Sequence, residues 1–131
     1  MIRTQLLLKP CPGRVQEVLD VYASRGILAR AVAQQGCLAA EIQVPIHHGD
    51  CVVVSALWES ESAYQSWLEN PGRAHDVTEL NQLLDLTERP LGQAELYAVH
   101  EFRANDRASQ QTEPPAAECQ SEDSQEKRDT Q

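Results

Sequence analysis

Apolar and polar positions alternate along Ile2–Lys9, with Ile2, Thr4, Leu6 and Leu8 on one face and Arg3, Gln5, Leu7 and Lys9 on the other. A period of two predicts a first strand, ended by Pro10, Pro12 and Gly13. From Arg14 to Gln34 the period becomes helical: Val15, Val18, Leu19 and Tyr22 share a stripe, and Ile27, Leu28, Ala31 and Val32 resume it beyond Gly26. The expectation is one long helix, weakened at Gly26. Alternation returns over Cys37–Val44, a half-buried strand. Cys51–Trp58 is an almost unbroken apolar run rich in β-branched residues, which suggests a strand covered on both faces. Residues 45–50 would join these two strands as an antiparallel hairpin.

Ser60 can cap a short helix to about Asn70, with Glu59 and Glu61 placing negative charge at its positive end. Asn70-Pro71-Gly72 is expected to stop it. A third helix is predicted over Arg73–Leu86 with Val77, Leu80 and Leu84 inward, followed by a loop at Thr87–Gly92. The last strand, Gln93–Phe102, puts Leu96, Ala98, His100 and Phe102 on one face. The order β-α-β-β-α-α-β is that of a ferredoxin-like α+β fold with an antiparallel sheet and central first and third strands. Helices cover one face of such a sheet, yet Val53, Ser55 and Leu57 lie opposite Val54, Ala56 and Trp58. A second copy is the simplest cover, so a homodimer is expected.

Charge changes the picture at the C-terminal end. The net charge is −9; residues 1–103 hold 13 acids and 8 Lys/Arg, and residues 104–131 hold 7 acids and 3 Lys/Arg. Residues 104–131 lack aromatic side chains and carry too little apolar surface to offset the entropy of ordering. They read as a disordered acidic, polar tail after a folded domain of residues 1–103. The acidic balance opposes general attraction to nucleic-acid phosphates or anionic membranes. No apolar run reaches the roughly 18 residues of a membrane span, and residues 1–13 do not have the pattern of a signal peptide. Cys11, Cys37, Cys51 and Cys119 show no paired C-x-x-C spacing, so reduced, packed thiols and a cytoplasmic location are expected.

The runs GCLAAEIQV and VVVSALWESESAYQSWLENPGRAH, then a leucine-bearing helix and a closing strand, resemble the antibiotic-biosynthesis-monooxygenase family over about residues 2–103. The most specific part is W-E-S-x-x-A-Y-x-x-W at Trp58–Trp67. The resemblance implies a dimeric α+β barrel, two subunits paired sheet to sheet, with a pocket in each between sheet and helices. It implies one of two chemistries. In the first, an electron-rich aromatic substrate such as an anthrone or quinol is oxygenated by dioxygen without metal, flavin or haem. In the second, haem is degraded, with an Asn on the first strand, a Trp in the second helix and an axial His around it. Trp67 matches the Trp by motif, and His75 lies near the position of the ligand; Gln5 or Thr4 stands where the Asn would be.

Each candidate also has a structural reading. Trp67 and Tyr64, three residues apart, share a helical face as core or as pocket wall. Tyr22 points toward the sheet, and its hydroxyl needs a partner or a ligand if buried. Trp58 reads as structural. His75 is either an exposed residue at a helix start or, with an ordinary pKa suited to proton transfer, an axial ligand or proton acceptor. His100 reads as a core or interface histidine, and His47-His48-Gly49-Asp50 as an exposed turn without enough ligands for a closed zinc site. Cys37 and Cys51 flank one hairpin and could lie close together. No G-x-G-x-x-G, P-loop or G-x-S-x-G is present.

The leading expectation is a cofactor-independent monooxygenase for a small aromatic substrate and dioxygen. It takes His75, Trp67 and Gln5 as catalytic candidates and Tyr22, Tyr64 and Trp67 as substrate-binding ones. The alternatives are haem chemistry with His75 and Trp67, and a non-catalytic dimeric small-molecule-binding or accessory module.

Overall fold

The first alternating segment forms strand β1 (Ile2–Leu8) in a computed structural model that describes residues 1–87 and 94–105. Two helices, α1 (Val15–Ser24) and α2 (Ile27–Ala33), replace the single helix expected over 14–34. Gly26 between them adopts φ 61° and ψ 39°, a left-handed conformation that interrupts the helical hydrogen-bond ladder. The chain then forms β2 (Cys37–Gln43), β3 (Val52–Trp58), α3 (Glu61–Leu68), α4 (Pro71–Asn81) and β4 (Glu95–Ala98).

Ser60 caps α3 as expected, its side chain accepting the Ala63 N–H at 3.2 Å. Asn70-Pro71-Gly72 does more than stop that helix, because it starts the next one. The Asn70 side-chain oxygen accepts the Gly72 N–H at 2.8 Å, and Pro71 sits at the first helical position, where no intrahelical N–H bond is lost. Helix α4 ends at Asn81, short of the expected Leu86; Leu84 instead bridges to Pro10 and is buried there. Strand β4 is also shorter than expected. Its pairing with β1 stops at Ile2↔Ala98, where β1 itself begins. His100 and Phe102 consequently lie beyond the strand and are exposed, so His100 is not a core histidine.

The sheet order is β2-β3-β1-β4 with every neighbour antiparallel, the ferredoxin-like arrangement with β1 and β3 central. Thr4, Leu6 and Leu8 of β1 face the helices beside Ala56, Val54 and Val52 of β3. The core gathers there, with Leu8, Val18, Val52 and Trp58 almost fully enclosed. On the opposite face, Ser55 stands between Gln5 and Glu41, and Leu57 between Arg3 and Ala39. Ser55 and Leu57 are buried within the single chain, which the apolar pattern of β3 alone did not anticipate. Leu7 and Tyr97, 36% and 48% exposed, remain open to solvent.

Met1–His100 forms one compact unit. Beyond it, residues 101–105 are described, and Glu101 and Arg103 form an ion pair at 3.4 Å. Most of the tail expected at 104–131, and most of the loop expected at 87–92, lie outside the described residues. Among the described residues no helix is long and apolar enough to cross a membrane.

Candidate active site

A cavity opens between the helix-facing side of the sheet and the helices. Thr4 and Leu6 of β1 and Val54, Ala56 and Trp58 of β3 form its floor. Tyr22 of α1, Ala31 of α2, Tyr64 and Trp67 of α3, and Arg73, Asp76 and Leu80 of α4 form its walls, with Ala94 at the rim. The cavity volume is about 70 Å³. Mostly apolar walls with a few converging polar groups are the usual make-up of a small-molecule site.

The aromatic wall is held rigidly. Trp58 donates its indole N–H to Thr4 Oγ1 at 3.1 Å, and its ring packs on Tyr64 with centroids 5.5 Å apart and planes at 59°. Tyr64 Oη accepts the Ala94 N–H at 3.0 Å, which ties α3 to the residue before β4. Trp67, one turn along from Tyr64, has the Arg30 guanidinium over its ring at 6.0 Å. Tyr22 is buried with its hydroxyl bonded to no described residue. Burial raises its pKa to about 12; the nearby Arg73 charge opposes that rise and Asp76 adds to it.

Asp76 is the buried carboxylate of the site. Its Oδ1 accepts from Arg25 Nε at 2.8 Å and from Arg30 Nη2 at 2.7 Å, while Oδ2 accepts from Arg30 Nη2 at 2.8 Å. A carboxylate enclosed this far from water needs such partners. No described carboxylate pairs with Arg73, which stands one helical turn before Asp76 and lines the same cavity.

The structure brings Tyr22, Tyr64 and Trp67 together in one wall. His75 and Gln5 are elsewhere. His75 is exposed on the outer side of α4, and Gln5 is exposed on the sheet face away from the helices. Thr4, not Gln5, presents β1 to the cavity. No histidine, cysteine or methionine is among the cavity's described lining residues, so the expected axial ligand His75 does not stand at this cavity. Sequence reasoning missed Asp76, Arg73, Arg25 and Arg30. Arg73 and Asp76 carried a signal, since they share the i, i+3, i+4, i+7 stripe of Val77 and Leu80.

Other expected groups lie apart from the cavity. His48, Asp50 and Cys51 place one ligand atom each within 4.8 Å of one another on the exposed hairpin end. His48 Nδ1 is 2.8 Å from Asp50 Oδ1, and Lys9 Nζ is 3.5 Å from Asp50 Oδ2, so the carboxylate is already engaged by two neighbours. Cys37 pairs opposite Trp58, whereas Cys51 precedes Val52. The two thiols are therefore at opposite ends of the hairpin and not neighbours. Cys11, Cys37 and Cys51 are free; Cys119 lies outside the described residues.

Fold and cavity together define a ferredoxin-like α+β protein with an aromatic-walled pocket between sheet and helices. The family model for antibiotic biosynthesis monooxygenase matches residues 1–75, more than half the chain, and the chain belongs to that family. Solved structures agree on the fold. SnoaB, a cofactor-independent oxygenase from Streptomyces nogalater, superposes with a TM-score of 0.60 at 19% identity, covering 77% of this chain and 95% of its own. Rv0793 from Mycobacterium tuberculosis gives 0.66 at 14% identity, covering 79% and 98%. A conserved protein from Methanosarcina mazei Go1 gives 0.59 at 16% identity, covering 73% and 87%. No curated protein matches the chain in sequence.

Proposed function

We propose that this chain is a cofactor-independent monooxygenase acting, as a homodimer, on a small aromatic or quinol-like substrate with dioxygen. The observation that carries this reading is the aromatic-walled cavity of a family member, with Trp58, Trp67, Tyr22 and Tyr64 around a mostly apolar interior. The fold shared with SnoaB supports it.

In this chemistry the substrate supplies the electrons. An anthrone-type methylene loses a proton to give a resonance-stabilised carbanion, which passes one electron to dioxygen. Recombination forms a carbon–oxygen bond. Loss of water from the resulting hydroperoxide then leaves a carbonyl, so that one methylene and one dioxygen give one ketone and one water. The protein's share is to hold the ring system flat, keep water from the anion and place hydrogen-bond donors at its oxygens. Trp67 and Trp58 would wall the ring, and Tyr22 and Tyr64 would offer hydroxyl donors. The reading gives no role to His75 or Gln5, because neither reaches the cavity.

The test is oxygen uptake with 1,8-dihydroxyanthrone and related quinols, in the presence of a metal chelator. One dioxygen consumed per anthrone is expected, and Trp67→Ala should lower kcat/KM about tenfold or more through loss of a positioned wall. Uptake no faster than the uncatalysed rate across the panel, with ligand binding intact, would sink the oxygenase reading in favour of a binding module.

A further inference from the structure

The cavity contains donors with no acceptor among the described residues. Thr4 Oγ1 already accepts the Trp58 indole N–H, so its own hydrogen points elsewhere. Tyr64 Oη accepts the Ala94 N–H and likewise keeps its hydrogen free of that bond. Tyr22 bonds to no described residue, and Arg73 brings a guanidinium with several N–H groups and no described carboxylate partner. The one carboxylate among the described lining residues, Asp76, has both oxygens engaged by Arg25 and Arg30. Arg30 Nη1, buried with no hydrogen-bond partner, leaves yet another donor beside this cluster.

Charge has the same sense. The chain as a whole is −9, yet two of its 11 Lys/Arg, Arg25 and Arg30, pair with Asp76 and a third, Arg73, lines the same cavity. A guanidinium beside a low-dielectric wall attracts an anion far more strongly than one in water. Its planar fork also suits two oxygens at once.

We propose that the cavity is an anion site, with Arg73 as counter-ion to a carboxylate or ionised enol or phenol on an aromatic ligand and the Tyr22 hydroxyl as second donor. This rests on the proposed oxygenase reading for the ligand's aromatic part and adds the charge it must carry. It also bears on the origin of the substrate anion. No group among the described cavity residues is an unengaged base, so the ligand enters ionised or loses its proton to solvent, and Arg73 holds the anion. Arg73 is a binding residue in this scheme and moves no proton.

The test is calorimetric binding of 2-naphthoate against its neutral counterpart 2-naphthamide, with the full chain and with Arg73→Gln and Arg73→Lys. The wild type should bind naphthoate ~10- to 100-fold tighter than the amide, the range set by a hydrogen bond to a charged partner. Arg73→Gln should abolish that preference by weakening naphthoate far more than naphthamide, whose retained saturable binding also reports an intact cavity. Arg73→Lys should retain part of it, since the charge stays and the fork is lost. Added salt should weaken the carboxylate alone. Equal affinities in the wild type, no saturable naphthoate binding, or a preference untouched by Arg73→Gln would each overturn the proposal. The wild-type comparison decides even if a variant fails to fold. The two readings separate cleanly: naphthoate preference without anthrone oxidation overturns the oxygenase and leaves the anion site, and oxidation without preference does the reverse.

Discussion

At the scale of single residues, Tyr22 links burial to a measurable titration. Its folded pKa of about 12 stands above the ordinary value of 10 because burial disfavours the phenolate. A raised folded pKa means that the folded state holds the proton more tightly than the unfolded one. The associated stability is complete below pH 10 and is lost as pH rises toward 12, by roughly 3 kcal/mol for a shift of this size. Urea unfolding at about pH 9 and about pH 12 should therefore show a smaller alkaline loss in Tyr22→Phe than in the wild type. An identical loss in both would mean that Tyr22 is not enclosed as described. Tyr22, Tyr64 and Trp67 were legible in the sequence because each sits on an apolar helical stripe. His75 stands outside the cavity's described lining. The helical period that turns Val77 and Leu80 inward turns His75 out, and chemical versatility alone does not bring a side chain to a cavity.

At the scale of elements, the junction between α2 and β2 packs closely against α3. Gly36 adopts φ 91°, and a Cβ there would come within 2.5 Å of the Ala63 Cβ on α3. Backbone strain and overpacking thus coincide, and Gly36→Ala should cost roughly 2–4 kcal/mol. Ala63→Gly in the same chain should recover the steric part but not the conformational part, leaving a coupling measurable in a double-mutant cycle of urea midpoints. Strictly additive effects would show that the two residues do not meet. The elements themselves were largely readable: β1, β2 and β4 follow from local alternation, β3 from an unbroken apolar run, and the α3 start from capping chemistry. Their ends were less so. The stop of β4 at Ala98 depends on where β1 begins, and the break of the first long helix depends on Gly26 taking a left-handed conformation. The propensity of Gly26 only weakens a helix and does not require one to end.

At the scale of the molecule, the proposed homodimer concerns the sheet face away from the cavity. Leu7 and Tyr97 are exposed there, beside a half-buried Val53. If copies pair through that face, sedimentation at micromolar concentration should show a dimer, and Leu7→Glu should shift it to monomer by burying an unpaired charge. A wild-type monomer at that concentration would refute the pairing. The ferredoxin-like order and the central places of β1 and β3 were determined by the sequence alone, because hydrophobic periods of 2 and 3.6 are local and each element must turn its apolar side toward a shared core. The polar chemistry of the cavity was not. Arg25, Arg30 and Asp76 are brought together from the end of α1, from α2 and from α4, and their pairing, like the unpaired state of Arg73 among the described residues, is a property of distance in the fold. Charged side chains have no period that marks their partners. Only the packing of helices on the sheet decides which of them lose water, and so which must find one another or a ligand.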